Sequence, residues 1–313
     1  MMTTNNPRNT PQAVFRFAVF LSCSIVVLLM AGALVTSHDA GLAVPDWPLS
    51  YGSLMPPMVG GIFWEHGHRM IATLVGILTI VLAILLARYE PRRWVRNLGW
   101  AALGLVIAQG VLGGITVKYL LPPPISTAHA TLAQLFFITI TSITLFTSRW
   151  WQSDLPLLED TGTPRLRGLA ALTTFGIFLQ LILGAGFRHG AFGIRPHLVG
   201  AGLVLFLVIL TGRTVRKRFG KVRDLRRWGI LLQSFLGLQI LLGLAAYWAV
   251  AQAAREAPTS IYVVLTVAHV LGGALTLAAS VVLTLSCFRL IRGDATVSVA
   301  ANASDSQAQG HQS

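Results

Sequence analysis

The sequence WEHGHRMIATLVGILTIVLAILL, residues 64–86, decides the fold class. Its second part, residues 71–86, contains no charged residue, and with its flanks it is long enough to cross a hydrocarbon core of about 30 Å as a helix. Glu65, His66 and His68 stand directly before this apolar part. Because ionisable side chains at such a place are costly in lipid, they usually have a function. The stretch therefore predicts a transmembrane helix with a functional site at one end.

Similar apolar stretches recur along the 313-residue chain. Hydrophobic residues make up 54% of it and charged residues 11%, and the mean hydropathy is +0.68. A soluble domain of this size would need far more charge to cover its surface. The composition predicts an all-α polytopic membrane protein with eight transmembrane helices. The predicted spans are 16–36, 68–87, 98–117, 127–147, 168–187, 197–213, 228–250 and 261–287.

The net charge of +13 orients the chain and does not indicate a nucleic-acid partner. Of the 24 Lys and Arg residues, all but five lie on the same side of the predicted spans as the N-terminus. Since cytoplasmic loops carry the excess of Lys and Arg, both termini are expected in the cytoplasm. The five basic residues on the opposite side are Arg69, Lys118, Arg188, Arg195 and Arg255.

The expected location is the plasma membrane of a bacterium. The N-terminal sequence has the pattern of neither a cleaved signal peptide nor a transit peptide. Cys23 and Cys287 both fall inside predicted spans, so no disulfide is expected in an outer loop.

Two motifs alternate along the chain. The motif Q-x-x-L-G occurs in the third, fifth and seventh spans as QGVLG (109–113), QLILG (180–184) and QILLG (239–243), and the first span keeps only its glycine, Gly32. Each even-numbered span has one histidine near its outer end, followed by small residues. These histidines are His68, His129, His197 and His269.

The alternation predicts two tandem, pseudo-symmetric four-helix bundles. The predicted divisions are a cytoplasmic N-terminal segment (1–15), a first bundle (16–150), a cytoplasmic linker (151–167), a second bundle (168–292) and a disordered cytoplasmic tail (293–313).

The four histidines favour heme over other metal sites. Two imidazoles from facing helices suit the two axial faces of a porphyrin, whereas a lone buried histidine can be a hydrogen-bonding core residue. Zinc would need four close ligands, commonly including cysteine. A di-iron centre would need two E-x-x-H motifs, and only Glu65 with His68 provides one, since IRPH (194–197) contains no acid. Each half is therefore expected to hold a heme between two histidines.

Other polar residues near the outer end are expected to serve the interface, the loop or a bound heme. On a helix, Glu65 and His68 lie only about 60° apart, while His66 points to another face and is expected to meet water or a loop. His38 and His189 are expected at the membrane interface. Arg69, Arg188 and Arg195 are candidates for binding heme propionates, with anchoring at the interface as the alternative.

Three of these features together resemble the heme A synthase family. They are the histidine of each even span, the motif E-x-x-H-R (65–69) and the loop AGLAVPDWPLSYG (40–52). The resemblance covers residues 14–292. It implies a membrane oxidoreductase that oxidises a methyl substituent of heme O to the formyl group of heme A, the cofactor of terminal cytochrome oxidases. An electron donor, a heme O synthase and further copies of the chain are the expected partners.

The resemblance also implies a role for each site residue. His197 and His269 would be the axial ligands of a resident heme b, His68 and His129 would bind the substrate heme O, and Glu65 would be catalytic. Some family members carry cysteine pairs in two outer loops, but residues 37–65 and 188–196 of this chain contain none.

A di-heme electron-transfer protein of the b type is the alternative. It would need no acid beside either heme and would usually hold its hemes at two depths. Here all four histidines lie toward one face, and an acid stands beside only one pair.

Overall fold

A computed structural model describes residues 10–253 and 259–292 of the chain. Within these residues it contains nine helices and no regular strand. Eight helices are long and apolar enough to span a membrane, which confirms the predicted all-helical, multi-pass fold; α5 is a single turn. The helices are α1 Gln12–Ser37, α2 Gly60–Tyr89, α3 Arg93–Lys118, α4 Pro123–Thr147, α5 Arg149–Gln152, α6 Leu166–Arg188, α7 Arg195–Phe219, α8 Arg223–Ala253 and α9 Ser260–Leu290.

The helices extend beyond the apolar stretches that predicted them. Helix α2 begins at Gly60, eight residues before the predicted start at residue 68, so Glu65, His66 and His68 all lie within the helix. Hydropathy marks only the apolar part of a span, whereas the backbone stays helical into the interface because its N–H and C=O groups need partners there. Helix starts follow local chemistry: prolines occupy the first turns of α4 and α7, where no N–H is needed.

The spanning helices contact one another in two rings. In the first half, α1, α2, α3 and α4 pack in order and α4 returns to α1; in the second half, α6, α7, α8 and α9 do the same. The halves meet where α9 packs on α1 and α4, and where α4 packs on α6. A symmetry relation between the halves and the predicted division boundaries stay predictions, and the predicted tail (293–313) lies outside the described residues.

Helix α9 belongs to the cores of both halves. Its Ala274 packs with Ile25 and Ile140 of the first half, and its Leu277 packs with Val208 and Leu232 of the second. All six side chains are buried. Helix α9 therefore fixes how the two rings sit together.

The two ends of the described chain lie at the same end of the molecule. The main-chain N–H of Thr10 donates to the side chain of Gln152, 2.7 Å away, in the segment after α4. In the same connecting segment, the N–H of Leu158 donates to the carbonyl of Leu290 (2.7 Å), and the N–H of Arg292 donates to the carbonyl of Leu158 (2.9 Å). The long linker thus holds both chain ends, and we call this the linker end. The opposite end carries the loop of residues 38–59.

Candidate functional site

The four candidate ligand histidines lie toward the end of the molecule opposite the linker. His68, His129, His197 and His269 each fall in the first third of their helix, in α2, α4, α7 and α9. These are alternate spans, so they run in the same direction. The structure therefore brings all four imidazoles toward one end.

Each of these histidines rests on a glycine of the preceding span. At every one of the four glycines, the side-chain atom nearest to an added Cβ would be the Cε1 atom of a histidine. The distances would be 3.2 Å for Gly32 and His68, 3.3 Å for Gly113 and His129, 2.9 Å for Gly184 and His197, and 2.9 Å for Gly243 and His269. The glycine is always the last residue of the Q-x-x-L-G motif or of its remnant. The two alternating motifs are thus the two sides of one repeated contact.

The histidine pair of the second half fits an iron between two imidazoles. The ring centroids of His197 and His269 are 6.3 Å apart, and the ring planes are nearly perpendicular, at 89°. Bonds between a metal and imidazole are about 2 Å long, so a metal shared by two imidazoles puts the ring centroids about 6 Å apart. The separation is therefore right for bis-histidine ligation of a heme.

The histidine pair of the first half is held less tightly. His68 and His129 lie near enough to interact electrostatically. The Nδ1 atoms of both rings are buried and have no hydrogen-bond partner among the described residues. Buried polar atoms without a protein partner are uncommon and are typical of a site that receives water or a ligand.

Glu65 lies about one turn before His68, is buried, and uses both of its carboxylate oxygens in contacts with the protein. It is 4% exposed. Its Oε1 atom lies 2.6 Å from an amino nitrogen of Arg69, and its Oε2 atom accepts a 2.8 Å hydrogen bond from the main-chain N–H of Val44. A solvent-exposed carboxylate favoured only by the helix dipole would lie in the first turn, whereas Glu65 is beyond it.

Arg69 ties the loop of residues 38–59 to α2. One of its amino groups donates to the main-chain carbonyls of Asp46 (2.7 Å) and Leu49 (2.9 Å), and the other also approaches the carbonyl of Val44 (3.3 Å). The guanidinium predicted to meet a propionate is therefore occupied by the loop.

The PDWP part of this loop has its own fixed structure. The Asp46 carboxylate accepts hydrogen bonds from the main-chain N–H groups of Tyr51 (2.6 Å) and Gly52 (2.8 Å). The Gly52 bond above all, with the Tyr51 bond and the charge of Arg69, lowers the pKa of Asp46. The ring of Trp47 lies against Gly114 of α3, where a Cβ would come within 2.6 Å of it. The loop thus rests on both α2 and α3.

The remaining outer histidines contact protein. His66 is buried, and its Nδ1 atom is 2.8 Å from the Ser50 hydroxyl in the loop. His38 stacks on Trp64, with ring centroids 4.0 Å apart. His189 follows α6, and burial, together with the nearby charges of Arg188 and His129, lowers its pKa to about 4. None of these three residues joins a ligand pair.

Arg188 and Arg195 differ in their surroundings. Arg188 donates to the Ser37 hydroxyl (2.7 Å) and to the carbonyl of Ala33 (3.2 Å), so it joins the second half to α1. Ser37 also lies 3.0 Å from the Thr266 hydroxyl of α9. Arg195 is exposed and makes no hydrogen bond within the described ranges. Of the three candidate arginines, Arg195 is the one available to an anionic ligand.

Two glutamines complete the second-half site, and their role was not predicted. The side-chain nitrogen of Gln180 lies 3.0 Å from Nδ1 of His197, and that of Gln239 lies 3.0 Å from Nδ1 of His269. The Q-x-x-L-G repeat was a signal for these residues, but the sequence did not show that they reach the histidines. Between residues 10–253 and 259–292, no group of three or more His, Cys, Asp or Glu side chains gathers as a metal site.

Comparison with known proteins gives one consistent result. A family model described as cytochrome oxidase assembly protein (COX15-CtaA) matches residues 15–196. The chain belongs to this family. As a member of the cytochrome oxidase assembly family, it is a multi-pass membrane protein. The matched range includes Glu65, His68 and His129 and ends one residue before His197.

Individual relatives point the same way. A protein of Symbiobacterium thermophilum named heme A synthase is 26% identical over 260 residues, which are 72% of this chain and 83% of that protein. Heme A synthases of Geobacillus thermodenitrificans and Alkalihalophilus pseudofirmus are 37% identical over 114 residues and 35% identical over 107 residues. These shorter matches span about a third of the chain (36% and 33%) and of each relative (34% and 36%). The matches confirm the resemblance to heme A synthases.

Proposed function

We propose that this chain is an enzyme of heme A synthesis that oxidises a methyl substituent of heme O to a formyl group. Membership of the cytochrome oxidase assembly family and the relatives named heme A synthase support the reaction class. With water as the oxygen source, the conversion of a methyl to a formyl group releases four electrons and four protons. A separate redox partner must therefore take up the electrons.

The second half holds the resident cofactor in this proposal. His197 and His269, with ring centroids 6.3 Å apart, would hold a heme b through their imidazoles. When bound, this heme would supply one-electron redox chemistry. Gly184 and Gly243 let the two imidazoles pack directly on the neighbouring backbone.

The first half binds heme O through His68 and His129. Both rings rest on glycines, as in the second half, but neither Nδ1 atom has a hydrogen-bond partner in the described part of the chain. Residues 38–59 lie over the start of α2 and contact α3, so they shield this end of the site from water. Arg195 is the candidate partner of a propionate because its guanidinium is exposed and has no hydrogen-bond partner among the residues that the structure describes.

The proposal rests on one observation: only one of the four candidate ligand histidines has an acidic residue three positions before it. Glu65 lies three residues before His68 and is buried. The residues three before His129, His197 and His269 are Ser126, Ile194 and Thr266. A di-heme carrier has no need of a carboxylate at one heme, whereas an oxidation that releases protons does.

Glu65 is the proton acceptor in this account. Its carboxylate is held by Arg69 and by the N–H of Val44, so its position is fixed before substrate binds. A positioned base of this kind contributes about 10²- to 10⁴-fold to a rate.

The proposal also includes the membrane location, the orientation and the partners of the chain. The chain lies in the plasma membrane of a bacterium with the linker end in the cytoplasm, supported by the distribution of Lys and Arg. A heme O synthase supplies the substrate, and the chain self-associates in the membrane.

Pigment analysis of the purified protein tests the proposal. The chain is expressed in a host that makes heme O, purified in detergent, and its hemes are extracted and separated by chromatography. Heme O or heme A beside heme b is the expected result. Heme b alone, at two per chain, would identify a di-heme electron carrier.

A further inference from the structure

The turn between α7 and α8, at the linker end, carries a dense cluster of positive charge. Residues 213–227 (RTVRKRFGKVRDLRR) contain eight Arg and Lys residues and one acid, Asp224. All eight cationic side chains are exposed. We call residues 213–227 the basic corner. The matching turn of the first half, residues 88–96, contains only four arginines and one acid, Glu90.

Most cations of the basic corner have no partner within the protein. Arg218 reaches the carboxylate of Asp160, 3.1 Å away. Arg216 donates to the side chain of Gln233. Five other cations make no hydrogen bond, ion pair or ring contact with the described part of the chain, namely Arg213, Lys217, Lys221, Arg223 and Arg226. These five charges are therefore available to a ligand.

The arginines at the start of α8 do not stabilise that helix. Helix α8 begins at Arg223, so Arg223 and Arg226 lie in its first turn. The helix dipole disfavours positive charge there, and like charges one turn apart repel each other. Asp224 in the same turn accepts a hydrogen bond from the indole N–H of Trp150 (2.9 Å). An anion bound at the basic corner would relieve both unfavourable effects, and helix N-termini are common sites for phosphate.

The backbone of the basic corner is fixed against the core of the second half. Phe219 and Leu225 are buried in that core, and Val222 packs against it. The N–H of Val222 donates to the carbonyl of Phe219 (2.9 Å) within the turn. The cationic side chains therefore project from a preorganised scaffold, which lowers the entropic cost of binding a ligand.

The cations continue the apolar surface that α7 and α8 expose. On α7, Phe206, Ile209 and Arg213 follow one face of the helix and are all exposed. On α8, Arg226 and Ile230 are four residues apart and both exposed. The arginines thus stand where the lipid-facing apolar surface ends. An acyl chain lying on either apolar face would place its headgroup among them.

A redox protein fits the basic corner less well than a lipid does. Arg213 lies sixteen residues after His197 on α7, which is about 24 Å along the helix. Electrons from a protein docked at the corner would have to cross most of the membrane to reach the histidine pair. A lipid headgroup has no such requirement.

We propose that the basic corner binds an anionic phospholipid, with its phosphate among Arg213, Arg223 and Arg226 and its acyl chains on the exposed apolar faces of α7 and α8. Clusters of about four to eight Lys and Arg directly beside a transmembrane helix are typical of binding to anionic lipids. This lipid site is independent of the heme chemistry at the opposite end of the molecule.

Titration of the delipidated protein with defined lipids tests the proposal. The chain is purified in detergent, and phosphatidylglycerol or phosphatidylcholine with the same acyl chains is added. Native mass spectrometry counts the bound lipids, and thermal unfolding gives the change in Tm. The wild type should bind phosphatidylglycerol more tightly and gain Tm from it. This preference should weaken as salt rises from about 0.1 M to about 1 M, because salt screens exposed charges.

A triple variant removes three of the unpaired cations. Each cation near an anionic surface contributes about fivefold to affinity, so Arg213→Gln/Arg223→Gln/Arg226→Gln should bind phosphatidylglycerol about 10- to 100-fold more weakly. Without added lipid, its Tm should equal or exceed that of the wild type, because repulsion among the cations is reduced. Lysine at the same three positions keeps the charge and should restore most of the preference.

A matched control removes the same amount of charge elsewhere at the linker end. Arg88, Arg93 and Arg149 are exposed and make no hydrogen bond or ion pair within residues 10–253 and 259–292. The variant Arg88→Gln/Arg93→Gln/Arg149→Gln should keep the wild-type preference for phosphatidylglycerol.

Three results would overturn the proposal. Equal loss of the preference in both glutamine variants would assign it to total charge. Binding of soluble glycerol phosphate as tight as that of the lipid would identify a free phosphate site. Equal affinity of the wild type for both lipids would leave the basic corner to a protein partner.

Discussion

Glu65 and Arg69 face each other across one turn of α2, with a carboxylate oxygen 2.6 Å from a guanidinium nitrogen. Each also binds the loop of residues 38–59, Glu65 through the N–H of Val44 and Arg69 through the carbonyl of Asp46. The pair therefore joins the helix that carries His68 to the loop above it. Breaking a buried ion pair by deleting one partner is strongly destabilising, so chemistry at Glu65 is best tested by a substitution that keeps its size and hydrogen bonding.

The variant Glu65→Gln should separate folding from chemistry. The amide can still accept a hydrogen bond from Val44 but cannot take up a proton. We expect the protein to fold, to keep its heme b and to accumulate heme O or a part-oxidised product, with heme A output lowered by about 100-fold or more. Heme extraction and chromatography measure all three species.

A second buried, arginine-paired carboxylate provides the control. Glu90 at the linker end lies 2.7 Å from Nε of Arg92, and its side chain is fully buried. Glu90→Gln should lower stability without changing the ratio of heme A to heme O. Wild-type heme A output from Glu65→Gln would refute the catalytic role.

The contacts between glycines and histidines predict that heme b binding and heme O binding can be weakened independently. Gly184→Ala and Gly243→Ala push a Cβ to 2.9 Å from the ring carbons of His197 and His269. Overpacking of this kind costs about 1–3 kcal/mol, which weakens heme b binding by roughly 5- to 150-fold. Gly113→Ala, at 3.3 Å from the ring of His129, should lower heme O binding and leave heme b in place.

Titration of each variant with heme, followed by optical spectroscopy, measures this separation. Gly110→Ala and Gly237→Ala are the controls, because an added Cβ at either place has no neighbour within 4 Å. Equal loss of both hemes from all three contact variants would mean that the halves do not hold separate sites.

The pH dependence of stability should reveal the ion pair at the linker end. Burial alone would raise the pKa of Glu90, but hydrogen bonds from Arg92 and Thr10, with the charge of Arg92, outweigh it and lower the pKa below its ordinary value of 4.5. The unfolded state then binds a proton first, so this contribution is present above pH 4.5 and is lost as the pH falls through the lowered folded value.

Thermal unfolding in detergent across this range tests the prediction. The wild-type Tm should fall below about pH 4.5, and Glu90→Gln should start lower and fall less steeply over the same interval. Parallel curves for the two proteins would show that Glu90 does not have a lowered pKa in the folded state.

Membrane orientation follows from charge and is tested by reporter fusions. Thr10 and Arg292 lie at the same end as the linker, and the basic loops between spans are at that end too. A reporter that is active only in the cytoplasm should work when fused after Ser313. Activity confined to a reporter that needs export would reverse the assignment.

The sequence predicted the spans well because lipid imposes a strong requirement on them. A stretch of about 20 apolar residues must be helical when it crosses a bilayer, whatever its neighbours are. The apolar stretch that predicted α2 begins at residue 68 but the helix begins at Gly60, because Glu65, His66 and His68 lower the local hydropathy without interrupting the helix.

The contacts within the site could not be predicted from the sequence. The glycine and histidine motifs were visible, but their contact depends on how each helix is rotated about its axis, and that is set by packing against several neighbours. The bond from the N–H of Val44 to Glu65 could not be predicted, because a main-chain N–H is present at every residue except proline and carries no sequence signal. Helical spacing did place Glu65 near the face of His68 and turned His66 away from it, toward the loop.

Conversion of heme O to heme A by the intact chain is the most direct test of the central claim. The wild-type protein is expressed in a membrane that contains heme O but has no heme A of its own, and the total hemes are separated by chromatography and mass spectrometry. We predict that heme A appears with the wild type and is absent with His68→Ala and with the empty vector. Unchanged heme O with no heme A, in cells that hold folded, heme b-loaded protein and a respiratory chain able to take up electrons, would contradict the account.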